Sequence, residues 1–368
     1  MFHIKNLFMF DIRDAMSGGK QLAGLDIGSS CIKLAEIQDH PKGRVISLFS
    51  RIPLAKGIIV DGVVAEPDAL TAAIKELFKQ SRCKRKQVVA SISGNGVVVK
   101  REVFAQMNKE ELHSLLQDEA GKYLPFDDMA DVNYDFQILG QHPYNPNQME
   151  VLIVAARKEI IEGYTDAIEA AGLIPEIMDV DSYALETMYE ENYDFDENEA
   201  ILLINIGAAI TNLNVIKDGV SIFTRNFALA GNSVTEAIAD NLGVSFQEAE
   251  KAKIEGIGND EKARAAFLEG LVAPFADPIC SEIERSVDYF RSTFGAETIR
   301  KIFVSGGGSL LHGLVADLSH RMGIETEIVN PFKKIKFDHK IMDQETAGQI
   351  GPIAAIAVGL ALRKIGDQ

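Results

Sequence analysis

Apolar and polar positions alternate along "LDIGSSCIKLAEI", residues 25–37, on both sides of a Gly-Ser-Ser step. Period-two alternation broken by a glycine turn predicts a β-hairpin, with one strand ending at Ile27 and a second starting at Cys31. The same pattern returns as "INIGAAITNLNVI", residues 204–216, with Gly28 aligning with Gly207, Leu34 with Leu213 and Ile37 with Ile216. A third glycine-centred segment, "KIFVSGGGSLLHGLVADLSHRMG", spans residues 301–323. "IFVS" reads as a buried strand and Gly306, Gly307 and Gly308 as a turn. Ser309 reads as the cap of a helix carrying Leu310, Leu311, Leu314, Val315 and Leu318, stopped by Gly323.

Between the first two copies the period changes to 3.6. In residues 107–139 Asn108 reads as a helix N-cap and Glu111 as its capping-box partner, with Leu112, Leu115, Leu116, Ala120 and Tyr123 on one face and Pro125 ending the helix. Strands "VNYDFQIL" and "MEVLIVAA" follow, then the helix "KEIIEGYTDAIEAAG". "SFQEAEKAK" opens another helix with a capping box, Ser245 and Glu248. The apolar run of residues 350–362 is rich in Ala and Gly and reads as a buried helix. No stretch reaches the roughly 20 apolar residues of a membrane span.

Composition narrows the classes. The 368 residues, 46% hydrophobic and 25% charged, suffice for two domains or one bilobal body. A net charge of −17 argues against a nucleic-acid binder and against direct adhesion to anionic lipid. Three widely spaced cysteines form no CxxC pair, and the seven histidines show no metal-ligand spacing, so reduced thiols in a cytoplasmic protein are the simplest reading. The first 19 residues lack a signal-peptide core and read either as a frayed extension or as an amphipathic turn that touches a membrane or partner.

The repeated hairpin carries chemistry of its own. A glycine without Cβ lets backbone N–H groups approach an anion, and Ser29 and Ser30 add hydroxyl donors. Asp26, at a strand end, suits Mg²⁺ held through water. Two facing hairpins could hold a polyphosphate from both sides, with neither the Rossmann nor the P-loop glycine spacing present.

In this order the three segments resemble the actin/Hsp70/sugar-kinase superfamily, in which two similar α/β halves close over ATP–Mg²⁺. The segment of residues 107–139 and the strands after it resemble the 1C insertion of FtsA-type bacterial actin homologues. "EAGKYLPFDDMADVNYDFQIL", "SISGNGVVVKREV", "AGLIPEIMDVDSYALE" and "GVSIFTRNFALAGN" are similar to the PilM family of type IV pilus assembly, over residues 24–363.

The resemblance implies a duplicated, actin-like (ribonuclease H-like) α/β fold. Lobe I would comprise residues 20–103 and 174–199, the 1C subdomain 104–173, lobe II 200–232 and 300–366, and a helical 2B subdomain 233–299, after an extension of 1–19. It further implies that Gly28, Ser29, Ser30 and Lys33 contact phosphates, with a solvent-facing strand position as the other reading of Lys33. Asn205 and Gly207 would close from the second lobe. Gly231 and Asn232 would lie beside the ribose, Glu250 and Lys253 would contact ribose and adenine, and Gly306, Gly307, Gly308 and Ser309 would meet the adenine side. A surface ion pair is the alternative for Glu250 and Lys253.

Asp181 aligns with the residue that orients attacking water, and also reads as a helix N-cap. Asn205 stands where such hairpins usually begin with Asp, so it offers no charge to Mg²⁺ and no carboxylate base. Weak or absent hydrolysis is the expectation.

The implied role is a cytoplasmic, ATP-binding scaffold, peripheral to the inner membrane through its partners. It would bind the N-terminal tail of a PilN-like membrane protein, with other platform or motor components as further candidate partners and homo-oligomerisation left open. An FtsA-like division anchor is the alternative, disfavoured because the sequence given stops at "GLALRKIGDQ" without an amphipathic tail. A metabolic kinase of the superfamily is the third reading, with no extra base evident.

Overall fold

The computed structural model describes residues 21–142, 144–195, 199–295, 298–337 and 343–365; the expected extension of residues 1–19 lies outside them. The chain opens with β1 (Ala23–Ile27), β2 (Cys31–His40) and β3 (Gly43–Pro53), an antiparallel meander. A short pair, β4 (Ile59–Val60) and β5 (Val63–Val64), leads to α1 (Pro67–Ser81) and β6 (Gln87–Ile92).

Next come β7 (Val97–Ala105), α2 (Lys109–Glu119), β8 (Val132–Gln141) and β9 (Gln148–Arg157). Then α3 (Lys158–Ala170), β10 (Ile174–Val180) and α4 (Asp181–Asn192) complete the first half.

The second half repeats the plan: β11 (Ala200–Ile206), β12 (Thr211–Lys217) and β13 (Val220–Phe227), then α5 (Gly231–Leu242), α6 (Phe246–Glu255), α7 (Glu261–Phe267) and α8 (Ala273–Phe294). It ends with β14 (Ile299–Ser305), α9 (Leu314–Met322), β15 (Glu325–Ile328), β16 (Lys336–Phe337) and α10 (Gln344–Leu362).

The two main sheets make the duplication explicit. Their orders are β10-β6-β1-β2-β3-β16 and β13-β12-β11-β14-β15. In each, a three-stranded antiparallel meander continues into two parallel strands, β6 and β10 or β14 and β15.

Strand alternation sorts side chains into layers. Ala23, Leu25 and Ile27 face a core shared with α1 and α3, whereas Leu22 faces the opposite layer. In β11, Leu202, Ile204 and Ile206 face the helices α5 to α8, and Ile201 and Leu203 face back toward the first half.

That shared middle layer is α4 and α10, packed between the two sheets. It depends on missing side chains. A Cβ at Gly359 would lie 1.7 Å from the Ala184 carbonyl oxygen, and one at Gly24 would lie 2.4 Å from the Ala357 carbonyl oxygen. Among the described residues α10 alone is long and apolar enough to cross a membrane; here 67% of that stretch is buried and forms this core layer.

Two expected boundaries move. β7 joins the insertion sheet, order β7-β9-β8, so the inserted unit runs over residues 97–157 rather than 104–173, as strand-helix-strand-strand. α2 covers one face of this sheet: Leu112 and Leu116 meet Phe104, Met149, Val151 and Ile153. Its capping box is present, with the Asn108 side chain accepting from the Glu111 N–H at 2.9 Å and Glu111 accepting from the Asn108 N–H at 3.0 Å. α3 belongs to lobe I because its Ile160, Ile161, Tyr164 and Ile168 join Leu70, Ile74 and Leu77 of α1 under the first sheet.

The tail of the expected lobe II also divides. β16 pairs parallel with β3, and α10 packs against sheet one as well as sheet two, so both leave the 300–366 unit.

A Gly359→Ala variant is expected to lose about 3 kcal/mol or more of stability, because the added methyl would overlap backbone rather than a flexible side chain. Chemical denaturation against the parent protein measures it.

Candidate functional site

A cavity of about 580 Å³ opens between the lobes. Residues 28–30 at the end of β1, residues 207–210 at the end of β11, and the 306–308 turn after β14 all line it. The sequence-predicted Asp26, Lys33, Asp181, Asn205, Gly231, Asn232, Glu250 and Lys253 line it too. Parallel strands β1, β6 and β10 point their C-terminal ends at this space, as do β11 and β14 in the other half, which is where open α/β sheets leave a crevice.

The lobe I jaw is charged. The Gly28 N–H donates to the Cys31 carbonyl at 3.2 Å, and the Lys33 ammonium donates to Asp26 Oδ2 at 2.8 Å. Asp26 and Lys33 are cross-strand partners in register. Burial is the largest single influence on the Lys33 ammonium and works against it, but the Asp26 charge, the Cys31 thiol, the hydrogen bond to Asp26 and the Asp181 charge together hold the group above the ordinary lysine range. Lys33 is therefore an inward-facing, paired residue.

Asp181 sits on the first turn of α4, but Val180, not Asp181, occupies the N-cap position. Its Oδ1 accepts from Ser91 Oγ at 2.6 Å instead. Burial, and then the Asp26 charge, push the carboxyl up to about 6. Tyr164 of α3, also lining the cavity, is raised above the ordinary phenol range by burial.

The lobe II jaw is neutral. The Gly207 N–H donates to the Ile210 carbonyl at 2.9 Å, and a Cβ at Gly207 would meet that same oxygen at 2.9 Å. The start of α5 locks the turn from behind: the Gly231 N–H donates to the Gly207 carbonyl at 3.0 Å and the Asn232 N–H to the Ala208 carbonyl at 2.7 Å.

Asn205, Asn212 and Asn226 are directly opposite one another on β11, β12 and β13. Their side chains form a ladder: Asn205 Nδ2 donates to Asn212 Oδ1 at 3.2 Å, Asn212 Nδ2 to Asn226 Oδ1 at 2.9 Å, and Asn226 Nδ2 to the Gly94 carbonyl of lobe I at 3.2 Å.

The third wall is the glycine turn. Gly306 has φ 82°, and its Cβ would lie 2.3 Å from the Ile206 carbonyl oxygen; at Gly308 the Cβ would lie 2.1 Å from Ile206 Cγ2. The turn thus lies flat on the end of β11, and only glycine permits this. Ser309 does not belong to the cavity wall. It is 2% exposed, and its Oγ donates to the Gly306 carbonyl at 2.7 Å, closing a 3-10 turn over Gly307–Leu310. Nor does Ser309 cap the helix, which starts at Leu314 after Gly313 in the left-handed region.

On α6, Glu250 and Lys253 pair at 2.6 Å. Lys253 also donates to the Gly231 carbonyl at 3.1 Å and to Thr235 Oγ1 at 2.8 Å. The pair is thus built into the joint between α5 and α6, not a free surface bridge.

Several lining residues had no site role in the sequence reading: Arg51, Tyr164, His312, Gln349, the apolar Ile254, and Leu310, which was read as a helix position and instead ends the 3-10 turn. Ile254 and Leu310 are 68% and 52% exposed, unusual for side chains of their size, and leave an apolar slot beside the glycine turn. At the mouth, Lys56 of lobe I reaches Glu236 of α5 at 2.7 Å and lies 4.3 Å above the Phe246 ring.

Glycines at 28, 207, 306 and 308 let the three turns lie tight against neighbouring backbone, and the cavity between them, flanked by serine hydroxyls and an apolar slot, fits a phosphorylated nucleoside. Among the described residues no cluster of three or more His, Cys, Asp or Glu could hold a metal ion directly. Asp26 holding hydrated Mg²⁺ through water fits that donor set.

The profile of the family described as "Type IV pilus assembly protein PilM" matches residues 24–365. The chain belongs to the PilM family. It is similar to a solved "PilM-PilN type IV pilus biogenesis complex", with 30% identity and a TM-score of 0.80 over 94% of this chain and 98% of that one. It is also similar to the ethanolamine utilization protein EutJ from Carboxydothermus hydrogenoformans, with 15% identity and a TM-score of 0.56 over 94% and 91% of the two chains, a likeness of fold alone. Among curated proteins, the cell division protein FtsA of Pseudomonas aeruginosa is 24% identical over 263 residues, 65% of this chain and 62% of FtsA. The match thus spans under two thirds of that relative's length. This PilM-family chain has the actin-like fold that its duplicated sheets display.

Asp181 carries a stability cost with a definite sign. Its folded-state value of about 6 lies above the ordinary 3.8, so the folded chain holds the extra proton between those limits and loses stability as pH rises through them. Without nucleotide, Asp181→Asn is expected to be more stable than the parent by about 1–3 kcal/mol at pH 7.5. The difference should close by about pH 4, as followed by denaturant titration at each pH.

Proposed function

We propose that this PilM-family chain is an ATP-binding adaptor of type IV pilus assembly. Nucleotide held between the lobes would stabilise the body that receives the N-terminal cytoplasmic tail of a PilN-like inner-membrane protein. The observation that carries the nucleotide half is the cavity itself, walled by two topologically equivalent hairpin turns and a glycine turn in which a Cβ at Gly306 or Gly308 would overlap Ile206. Family membership and likeness to the PilM–PilN complex support the partner. The chain would work in the cytoplasm and reach the membrane through that partner; nothing in its charge favours nucleic acid.

The roles follow from placement. Backbone N–H groups of residues 28–30 and 207–209 would meet the phosphates from opposite lobes. Asp26 would orient the hydration shell of Mg²⁺. Glu250 and Lys253 would border the ribose, and Ile254 and Leu310 the base. Bound ATP–Mg²⁺ supplies a multiply charged ligand that both lobes must close upon.

Hydrolysis would be slow. Asp181 is the one carboxylate placed to take a proton, it already accepts from Ser91, and Asn205 contributes no charge. A filament-forming, FtsA-like role is the second reading, favoured by the FtsA relative. ATP-dependent sedimentation of the purified chain would support it over the adaptor.

The test is calorimetric titration of the full chain with ATP–Mg²⁺, followed by titration with a synthetic PilN-type tail peptide, with and without nucleotide. Peptide binding that tightens with ATP is expected. No peptide binding in either state would overturn the adaptor reading, and no ATP binding the nucleotide reading. Asp26→Asn gives a signed check. It removes a negative charge and releases Lys33, so affinity for ATP without Mg²⁺ should rise while the gain from adding Mg²⁺ shrinks, measured as Kd in EDTA against Mg²⁺.

A further inference from the structure

Three strands place one residue each in a row across lobe I. Asp26 of β1 is in register with Lys33 of β2, and Lys33 with Arg51 of β3. In-register residues on adjacent strands project to the same face, and all three line the cleft. The row reads negative, positive, positive.

The first two charges are spent on each other at 2.8 Å. Of the lysines and arginines that line the cleft, Lys253 is likewise spent, on Glu250 at 2.6 Å. Arg51 is exposed, and among the described residues its guanidinium has neither an ion pair nor a side-chain hydrogen bond. Among the described residues it is the unspent cation of the cavity wall.

Its position gives that charge a task. Pro53, two residues further on, lies opposite Cys31, the first residue after the phosphate-binding turn. Arg51 therefore stands beside that turn, two strands or about 10 Å from Asp26. The apolar slot is on lobe II, so a nucleotide with its base there runs its phosphates toward lobe I and ends nearest the β1–β3 row. A third phosphate brings added negative charge beside Asp26, which Lys33 already neutralises and cannot neutralise twice. A guanidinium offers a planar fork of donors that two phosphate oxygens accept together.

We propose that Arg51 binds the terminal phosphate of a nucleoside triphosphate and makes the cleft favour the triphosphate over the diphosphate. The inference rests on the nucleotide reading above and deepens it by assigning the residue that tells the two nucleotides apart.

The experiment measures Kd for ATP–Mg²⁺ and ADP–Mg²⁺ by calorimetry on the full chain and on Arg51→Gln and Arg51→Lys. The parent is expected to prefer ATP. Arg51→Gln should weaken ATP roughly 10- to 100-fold, the range for losing a charge-assisted hydrogen bond, and ADP by no more than about twofold. Arg51→Lys should recover part of the ATP affinity, as a point charge without the fork. Since Arg51 has no ion pair or side-chain hydrogen bond to lose among the described residues, the melting temperature of both variants should match the parent's, which separates binding from folding.

An unchanged ATP-to-ADP ratio in Arg51→Gln overturns the proposal, whether neither affinity falls or both fall alike through general attraction. A parent that binds both nucleotides without preference overturns it while leaving the nucleotide reading intact. A parent that binds neither overturns both.

Discussion

The whole arrangement hangs on how closely two helices and a strand approach. Among the described residues α4 and α10 are the only helices that both sheets share, and the layer closes up where Gly359 faces the Ala184 carbonyl and Gly24 faces the backbone of α10. A side chain at either glycine would force the layer apart. The same layer carries a buried ion pair, Asp179 with Arg363 at 2.7 Å, in which Asp179 is fully buried. Removing one member of such a pair leaves an unpaired charge in the interior, so the pair fixes how the end of α10 docks on β10. The cleft then follows geometrically, since both sheets are anchored to one wedge with their strand ends facing across it.

The jaws of that cleft share topology and differ in electrostatics. Lobe I presents a charged row along β1, β2 and β3; lobe II presents three amides along β11, β12 and β13. An amide ladder is satisfied by reciprocal donation and acceptance, needs no counter-ion and does not titrate. It also ends on the Gly94 carbonyl, in the loop just before β7, so the β11–β12 hairpin is tied through Asn226 of β13 to the base of the insertion. The hairpin lining the lobe II side of the cleft and the subdomain grafted onto lobe I are consecutive links of one polar chain.

Much of this was legible in the sequence. The two hairpins and the glycine turn were visible because turn glycines and period-two alternation are local properties, and the capping boxes at Asn108 and Ser245 because their partners lie three residues away. What escaped notice depends on partners distant in the chain. β7 looks like any strand until its pairing with β9 is known, and α3 is amphipathic whichever core it faces. Ser309 after three glycines resembles a helix cap, but the close approach of Gly308 to Ile206 turns the chain into a 3-10 turn first and sends the hydroxyl inward. Arg51 carries no motif, and only the register of β2 against β3 sets it beside Lys33.

The mouth of the cleft behaves differently from its root. Lys56 and Glu236, which bridge the lobes there, are each 54% exposed, and such a pair contributes about 1 kcal/mol at most and fades with salt. The root is backbone packed closely on backbone, at Gly359 against Ala184 and at Gly24 against α10. A body fastened so unequally would yield first at its rim while the wedge keeps its shape, in the manner of a hinge rather than a shear. Exchange of whatever the cleft holds is then a rim event. Its rate should respond to ionic strength, while the resting alignment of the two sheets does not.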